Sequence, residues 1–506
     1  MVYLTRTNTN PFRIMPALLQ RFTLAICLVL AGSALFFYFG NDLWNDEIYT
    51  LQNFVFRGIG TVLTDYHVPN NHILSNIFHR GWLQLTGVND LGVLLDAPWR
   101  IRLLPLCFSA LAVWWVYRAG QAAGDRSTGL LAALLLLSGL TFQAYAFQVR
   151  GYALSMTASA GLSAWAMRWA NGERGNRWNL FAPALLTAAL LYTLPSNAYF
   201  GLAVAAGLFF AQGTNARYES WKPVWPALGA LAAGAVIALA AYWPVLNQLL
   251  GSTYFESKST VEGTSGALFS RVMADFFSYR WLLAPLAGLG VYQLVRTAGP
   301  ARKQAVWLLS VLLLPFLFSA LRGDAAPDRV FLPALPVFAL LLAISAKAVI
   351  SRLTASRASF AYAALVLYSA GTYAWGLWQT REFLRKGLDT MDHYYPGLNR
   401  NYYQHFYQPN AEYDLFRQQF GTDKTLVLES SEEHDMPVYL QHKKQVFVPL
   451  DSIETYLRSP RTFYVSSDYA RSFMQEMSKM GPGWRCRYLQ NKARIPRIVI
   501  CEPTGK

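Results

Sequence analysis

The sequence predicts a polytopic α-helical membrane protein of about eleven transmembrane helices, followed by a small C-terminal α/β domain outside the membrane. Three observations predict it. Of 506 residues, 54% are hydrophobic and only 14% charged, and most of the long apolar runs have no polar face to turn towards water. Lys and Arg collect in alternate loops between those runs, as they do on the cytoplasmic side of membrane proteins. Beyond residue 378 the apolar runs stop and short alternating segments begin.

Windows of roughly 20 apolar residues place spans at 17–39, 101–118, 128–147, 152–170, 178–194, 196–212, 224–246, 281–297, 304–321, 330–350 and 358–378. The first run is too long for a secretory signal, and no small-residue cleavage site follows it. With the N-terminus inside, the inner loops hold Arg118 and Arg126, Arg168, Lys222, Arg296, Arg302 and Lys303, and Lys347, Arg352 and Arg357. An odd number of spans then puts residues 379–506 outside, together with the long first loop 40–100. The net charge of +15 is mostly this topology signal. Cations spread over many loops form no stripe for nucleic acid.

Two parts follow: a membrane core, residues 1–378, and an outer α/β domain, residues 379–506. Within the second, Thr425–Glu429, Gln445–Pro449 and Thr462–Ser466 read as strands, and Ile453–Arg458 and Tyr469–Met480 as helices. No phosphate loop or other cofactor fingerprint interrupts them. Cys27 and Cys107 fall in spans, where a thiol is a small apolar side chain. Cys486 and Cys501 lie on two further candidate strands, and an oxidising compartment permits them to be free or bridged. The loop 40–100 is too long for a mere connector. From Asn71 to Leu85 it carries a helical stripe of Ile73, Leu74, Ile77, Phe78, Trp82 and Leu85, with His72, Asn76, His79 and Arg80 on another face. Such a helix lies flat at a membrane interface, its polar side over a cavity.

Ionisable residues are almost absent from the spans and gather at one set of span ends. Asp46 and Glu47 stand just beyond the first span, where two carboxylates can meet water. Trp44-Asn45-Asp46-Glu47-Ile48-Tyr49-Thr50 is followed by Tyr66-His67-Val68-Pro69-Asn70-Asn71-His72, then by Arg100-Ile101-Arg102-Leu103-Leu104-Pro105 and by Gln148-Val149-Arg150-Gly151-Tyr152. In that order and on one side of the membrane, these segments resemble the GT-C membrane glycosyltransferases, in the bacterial branch related to protein O-mannosyltransferases and the lipid A aminoarabinose transferase. The resemblance covers residues 15–200 well and the later spans by layout.

The resemblance implies transfer of a sugar from a polyprenyl-phosphate donor to an envelope glycan, lipid or protein, with inversion, on the outer face of a bacterial cytoplasmic membrane. It also implies that Asp46 is the catalytic base. The chemistry agrees: one carboxylate suffices, because a phosphate-ester leaving group needs positive charge rather than a general acid. Arg102, Arg150 and Arg329, each at an outer span end, are candidates for that charge, or else they snorkel to lipid headgroups. Glu47 either orients Asp46, binds sugar or is a solvated neighbour. His67, Asn70, Asn71 and His72 are candidate sugar contacts, and Tyr152 lines the donor groove or anchors the interface. No cofactor is expected. A divalent metal is conceivable at the histidines, but their i, i+5 spacing does not put both on one helix face.

Two other classes remain open. A flippase or transporter is expected to place ionisable residues or broken helices at mid-membrane. A non-catalytic membrane scaffold has no need of an acidic pair beside outer arginines.

Overall fold

The computed structural model describes residues 17–173, 178–214, 221–251, 265–297, 299–322, 327–385, 409–428, 436–449, 461–466, 470–479, 483–489 and 498–504. Helices occupy each of the eleven predicted runs to within a few residues. Helix Tyr152–Ala170 and helix Ala334–Ile350 are buried on nearly every face, so they form the centre of the bundle. The surrounding helices turn large apolar side chains outward, among them Leu18, Phe36, Leu321 and Phe360, each more than three-quarters exposed. So much apolar side chain turned outward suits a lipid surround. By length and composition, Ala17–Tyr38, Trp99–Ala123, Val224–Leu250 and Pro300–Arg322 can each cross a membrane.

The third run departs from expectation. It is two helices, Arg126–Leu137 and Leu140–Ala146, bent by 73° at Ser138-Gly139. Counted as one span, the pair brings the number of helices meeting that test among the described residues to five. The last helix, Ala355–Arg385, continues past the predicted boundary at residue 378.

Span ends meet in two layers. In one, Asp125 pairs with Lys347 and Lys303 donates to Gln212, while Gln304 reaches Asn171. In the other, the first loop folds over the bundle as helices Asn45–Thr50, Ile59–Thr64, Ile73–Thr86 and Leu91–Asp96. The stretch read as a helix is one, Ile73–Thr86, with Ile73 and Leu83 buried. Ser75, Asn76 and His79 are buried beneath it, while Phe78 and Leu85 face outward.

Among the described residues of the C-terminal part, five strands form a mixed sheet, β1 (Leu426–Leu428), β2 (Phe447–Pro449), β3 (Phe463–Ser466), β4 (Trp484–Tyr488) and β5 (Ile498–Pro503), in the order β2-β1-β3-β5-β4. The β1–β2 and β1–β3 pairs are parallel, and the β3–β5 and β4–β5 pairs antiparallel. The three expected strands and helix Ala470–Lys479 are present. The expected helix Ile453–Arg458 lies outside the described residues. Cys486 and Cys501 face each other across β4 and β5 and are joined by a disulfide.

This sheet docks on the first-loop layer. Leu43, Ile48, Leu51 and Leu94 share a core with Tyr413, Phe416, Leu426 and Tyr439. Around it, Asn410 donates to the Asp42 carboxylate through its backbone N–H at 2.7 Å, and Asp96 pairs with His442 and Lys443.

Candidate active site

Asp46 and Glu47 occupy the first turn of helix Asn45–Thr50, where successive side chains point about 100° apart. They therefore face different surroundings. Glu47 is buried. Its Oε2 accepts from the Trp44 backbone N–H at 2.8 Å, which starts the helix, and from Arg102 Nη2 at 3.0 Å. Its Oε1 accepts from the Val149 N–H at 2.8 Å. Arg102, also buried, donates to the carbonyls of Tyr38 and Asn41 at 2.7 Å and of Asp42 at 2.9 Å. The pair thus fastens the end of the first span, the start of the second and the Gln148-Val149 turn to one another. Of the roles open to Glu47, this is nearest to orienting Asp46, and the Arg102 donors named here go to oxygens of this chain.

Asp46 points the other way and stays partly accessible, its side chain 27% exposed. Arg150 donates to its Oδ2, Asn70 Nδ2 donates to Oδ1 at 3.3 Å, and Arg329 Nη1 stands 3.9 Å from Oδ2. Burial pushes this carboxyl up. The charges of Arg150 and Arg329, with the hydrogen bonds from Asn70 and Arg150, outweigh burial and hold it below its ordinary value. Asp46 is an ionised carboxylate between two guanidiniums.

Arg150 lies beneath, only 3% exposed, with Nη2 on Asn70 Oδ1 at 3.1 Å and its guanidinium 5.3 Å from the Tyr152 ring centroid. Tyr152 also meets the His72 ring edge-on. His72 Nδ1 accepts from the Gly151 N–H at 2.7 Å, and Nε2 stands 3.2 Å from Arg150 Nη2. Burial first, then Arg150, Arg329 and His79, keep His72 well below the usual histidine range, hence neutral. Only glycine allows this approach at 151, where a Cβ would stand 2.4 Å from Thr193 Cγ2 and 3.0 Å from His72 Nδ1.

Of the residues singled out in the sequence, Asp46, Asn70, His72, Arg150, Tyr152 and Arg329 come together. Asn71 does not join them: it is buried, donating to the carbonyls of Val62 and Asp65 and accepting from Asn76. His67 is half exposed and held by Asp65 and Tyr49. Among the described residues no three of His, Cys, Asp and Glu stand close enough to hold a metal ion. Sequence reasoning missed the Arg271–Asp328 ion pair, which sits next to Arg329. It also missed Val149 and Trp44, whose contribution is a backbone N–H and so leaves no side-chain signal.

His79 supports the site from below. Its Nδ1–H donates to the Ser75 carbonyl at 2.8 Å, and Nε2 has no partner among the described residues. Burial drives this imidazole down from 6.5 to about 4. Between those values the unfolded chain binds the proton and the folded one does not, so stability falls as pH drops from 6.5 towards 4. His79→Phe is expected to reduce that slope by ~1.4 kcal/mol per pH unit, leaving the part owed to His72. Thermal melts of the purified protein between pH 5 and about 7 check it.

The fold of this helical bundle, its first-loop layer and its C-terminal sheet is also found in a solved structure. The lipid A aminoarabinose transferase ArnT from Cupriavidus metallidurans shares it along almost its whole length. With the crystal structure of ArnT bound to undecaprenyl phosphate, the match covers 96% of this chain and 98% of that one, at a TM-score of 0.52 and 14% identity. With the apo structure the figures are 95%, 97%, 0.53 and 15%. The archaeal oligosaccharyltransferase AglB from Archaeoglobus fulgidus, in complex with an inhibitory peptide and a dolichol-phosphate, is more distant. There the match covers 88% of this chain and 69% of that one, at a TM-score of 0.48 and 11% identity, too loose to argue from. No protein-family model matches the chain, and no curated protein does. At these identities the likeness is one of fold.

Proposed function

We propose that this chain is a membrane glycosyltransferase that takes a sugar from a polyprenyl-phosphate-linked donor and gives it to a hydroxyl of an envelope glycan, lipid or protein. One observation carries the reading: an ionised, partly accessible carboxylate and two guanidiniums meet at one point on one face of an apolar bundle. The acceptor oxygen attacks the anomeric carbon as the bond from that carbon to the donor phosphate oxygen breaks. The acceptor proton passes to Asp46, and the electron pair leaves on the polyprenyl phosphate. A single displacement of this kind inverts the anomeric centre.

Asp46 accepts the proton late, since a hydroxyl is far less acidic than a carboxylic acid. The developing phosphate charge needs cations, not an acid. Arg329, about a third exposed at the rim, is the cation a donor meets first, and Arg150 backs it from below. Asn70 bridges Asp46 and Arg150, so it holds base and cation at a set separation. Glu47 and Arg102 position this group and do not touch substrate. The eleven helical runs all cross the membrane in this reading, with the Asp46 face and the C-terminal sheet on the outer side of a bacterial cytoplasmic membrane. The disulfide agrees with that compartment.

The test is transfer in proteoliposomes from a radiolabelled polyprenyl-phosphate sugar, reading the release of free polyprenyl phosphate. Movement of intact donor across the bilayer without release would instead mark a flippase. Arg329→Gln is expected to lower kcat/KM for donor by about 10–100-fold, mostly through KM, because a charge-assisted contact of about 1.5–3 kcal/mol is lost. A donor KM that does not move would remove Arg329 from the phosphate site.

A further inference from the structure

The break at Ser138-Gly139 is filled by a guanidinium from elsewhere in the chain. Arg280 is 1% exposed, and its Nη1 donates to the Leu135 carbonyl at 2.5 Å and to Ser138 Oγ at 2.8 Å. Its Nη2 and Nε donate to the carbonyls of Phe276 and Phe277, each at 2.9 Å. Leu135 lies in the last turn of helix Arg126–Leu137, and Phe276 and Phe277 end helix Ser265–Phe277. These are carbonyls that a helix terminus leaves without an intrahelical partner, where a cation is favoured.

The chain is strained in order to deliver this side chain. Ser278 and Tyr279 are consecutive non-glycine residues with φ of 44° and 68°, a left-handed conformation that persists only where the surroundings enforce it. The Asp275 carbonyl accepts from Thr141 Oγ1 at 2.7 Å, across the break, and from Ser278 Oγ.

Both ends of this segment lead to Asp46. From the break, the seven-residue helix Leu140–Ala146, buried throughout, runs through Phe147 and Gln148 to Val149, pinned by Glu47, and Arg150. At the other end, Arg271 holds Asp328 at 3.3 Å, the first residue of the short turn that carries Arg329. One stretch of ten residues, 271–280, therefore braces the backbone of both guanidiniums at Asp46.

We infer that Arg280 is a positioning residue for the Asp46 site, holding the break between helices Arg126–Leu137 and Leu140–Ala146 so that Arg150 reaches Asp46. The proposal rests on the reading of Asp46 as base, and the experiment separates the two. The groups facing Asp46 are the charged Arg150 and Arg329, Asn70, and behind them neutral His72 and Tyr66. Were Arg150 displaced, Asp46 would lose the charge and the hydrogen bond that Arg150 sets against burial, and its carboxyl would rise.

Arg280→Gln and Arg280→Lys are compared with wild type and Asp46→Asn for kcat, donor KM and the pH profile of kcat/KM, on protein confirmed as folded and inserted. Arg280→Gln is expected to lose about 10²-fold in kcat with donor KM nearly unchanged. Its acid limb of kcat/KM is also expected to move to higher pH, into the range where wild type is flat, because kcat/KM reports the free enzyme. Arg280→Lys restores part of kcat and moves the limb back. Thr141→Val, which removes only one hydroxyl contact across the break, gives a smaller change in the same direction and serves if Arg280→Gln does not fold. A flat profile in the variant that folds, with kcat lost only in proportion to folded protein, overturns the proposal while an inactive Asp46→Asn keeps the base reading. An active Asp46→Asn overturns both.

Discussion

Replacing Asp46 with Asn is expected to cut turnover of a polyprenyl-phosphate-linked sugar by about 10²–10⁴-fold, the range a positioned base contributes. The amide is nearly isosteric and keeps an oxygen for Arg150 or Asn70, so the protein is expected to fold and insert as before. Donor KM is expected to stay level or fall, because Arg150 and Arg329 lose a carboxylate that competes with phosphate for them. Asp46→Glu restores the charge but moves it by one methylene, and partial activity follows, since a displacement near 1 Å can cost about 10²-fold. The measurement is release of polyprenyl phosphate at saturating donor, and undiminished turnover in Asp46→Asn would sink the base assignment. Wild-type kcat/KM is expected to be flat across the neutral and mildly acidic range. The two arginines hold the Asp46 carboxyl below its ordinary value, so it is ionised throughout, and activity is lost only as pH falls through that lowered value.

The second large effect lies one residue along. Glu47→Gln or Arg102→Met is expected to destabilise the protein by about 3–5 kcal/mol, because either leaves a buried charge without its partner. Turnover is expected to fall with it, since the Glu47 carboxylate holds the Val149 N–H next to Arg150 and the Trp44 N–H next to Asp46. The double variant Glu47→Gln/Arg102→Met is expected to cost less than the sum of the singles, as removing both charges relieves the unpaired one. Thermal unfolding in detergent measures all three. Strict additivity would mean that the two side chains act independently, against the staple described above.

These two residues mark how far the site was legible. Asp46 and Glu47 are indistinguishable in composition and adjacent in sequence, and both were expected at the site. The 100° between successive helical positions sends one to the cleft and the other into the protein. Arg102 and Arg150 were likewise equivalent, each a guanidinium at a span end. Arg102 found four oxygens of its own chain, whereas Arg150 found Asp46. Among the first-loop candidates, Asn70 and Asn71 again part company, the first between Asp46 and Arg150, the second bracing the loop. The contacts of Arg280 with Ser138 and of Arg271 with Asp328 left no local signal, because those partners are 142 and 57 residues away.

The sequence by itself determined the solvent and, through it, the elements. Runs that offer lipid nothing but apolar side chains must close their backbone hydrogen bonds within the run, so helices stand where the runs stand. It also determined that ionisable groups gather at span ends, since the cost of submerging them leaves few other places. Only the tertiary structure decided which of those groups face one another. That depends on helix phase, on the 73° break filled by Arg280, and on the fold of the first loop over the bundle. Each is set by packing between residues far apart in the chain, which local pattern does not encode.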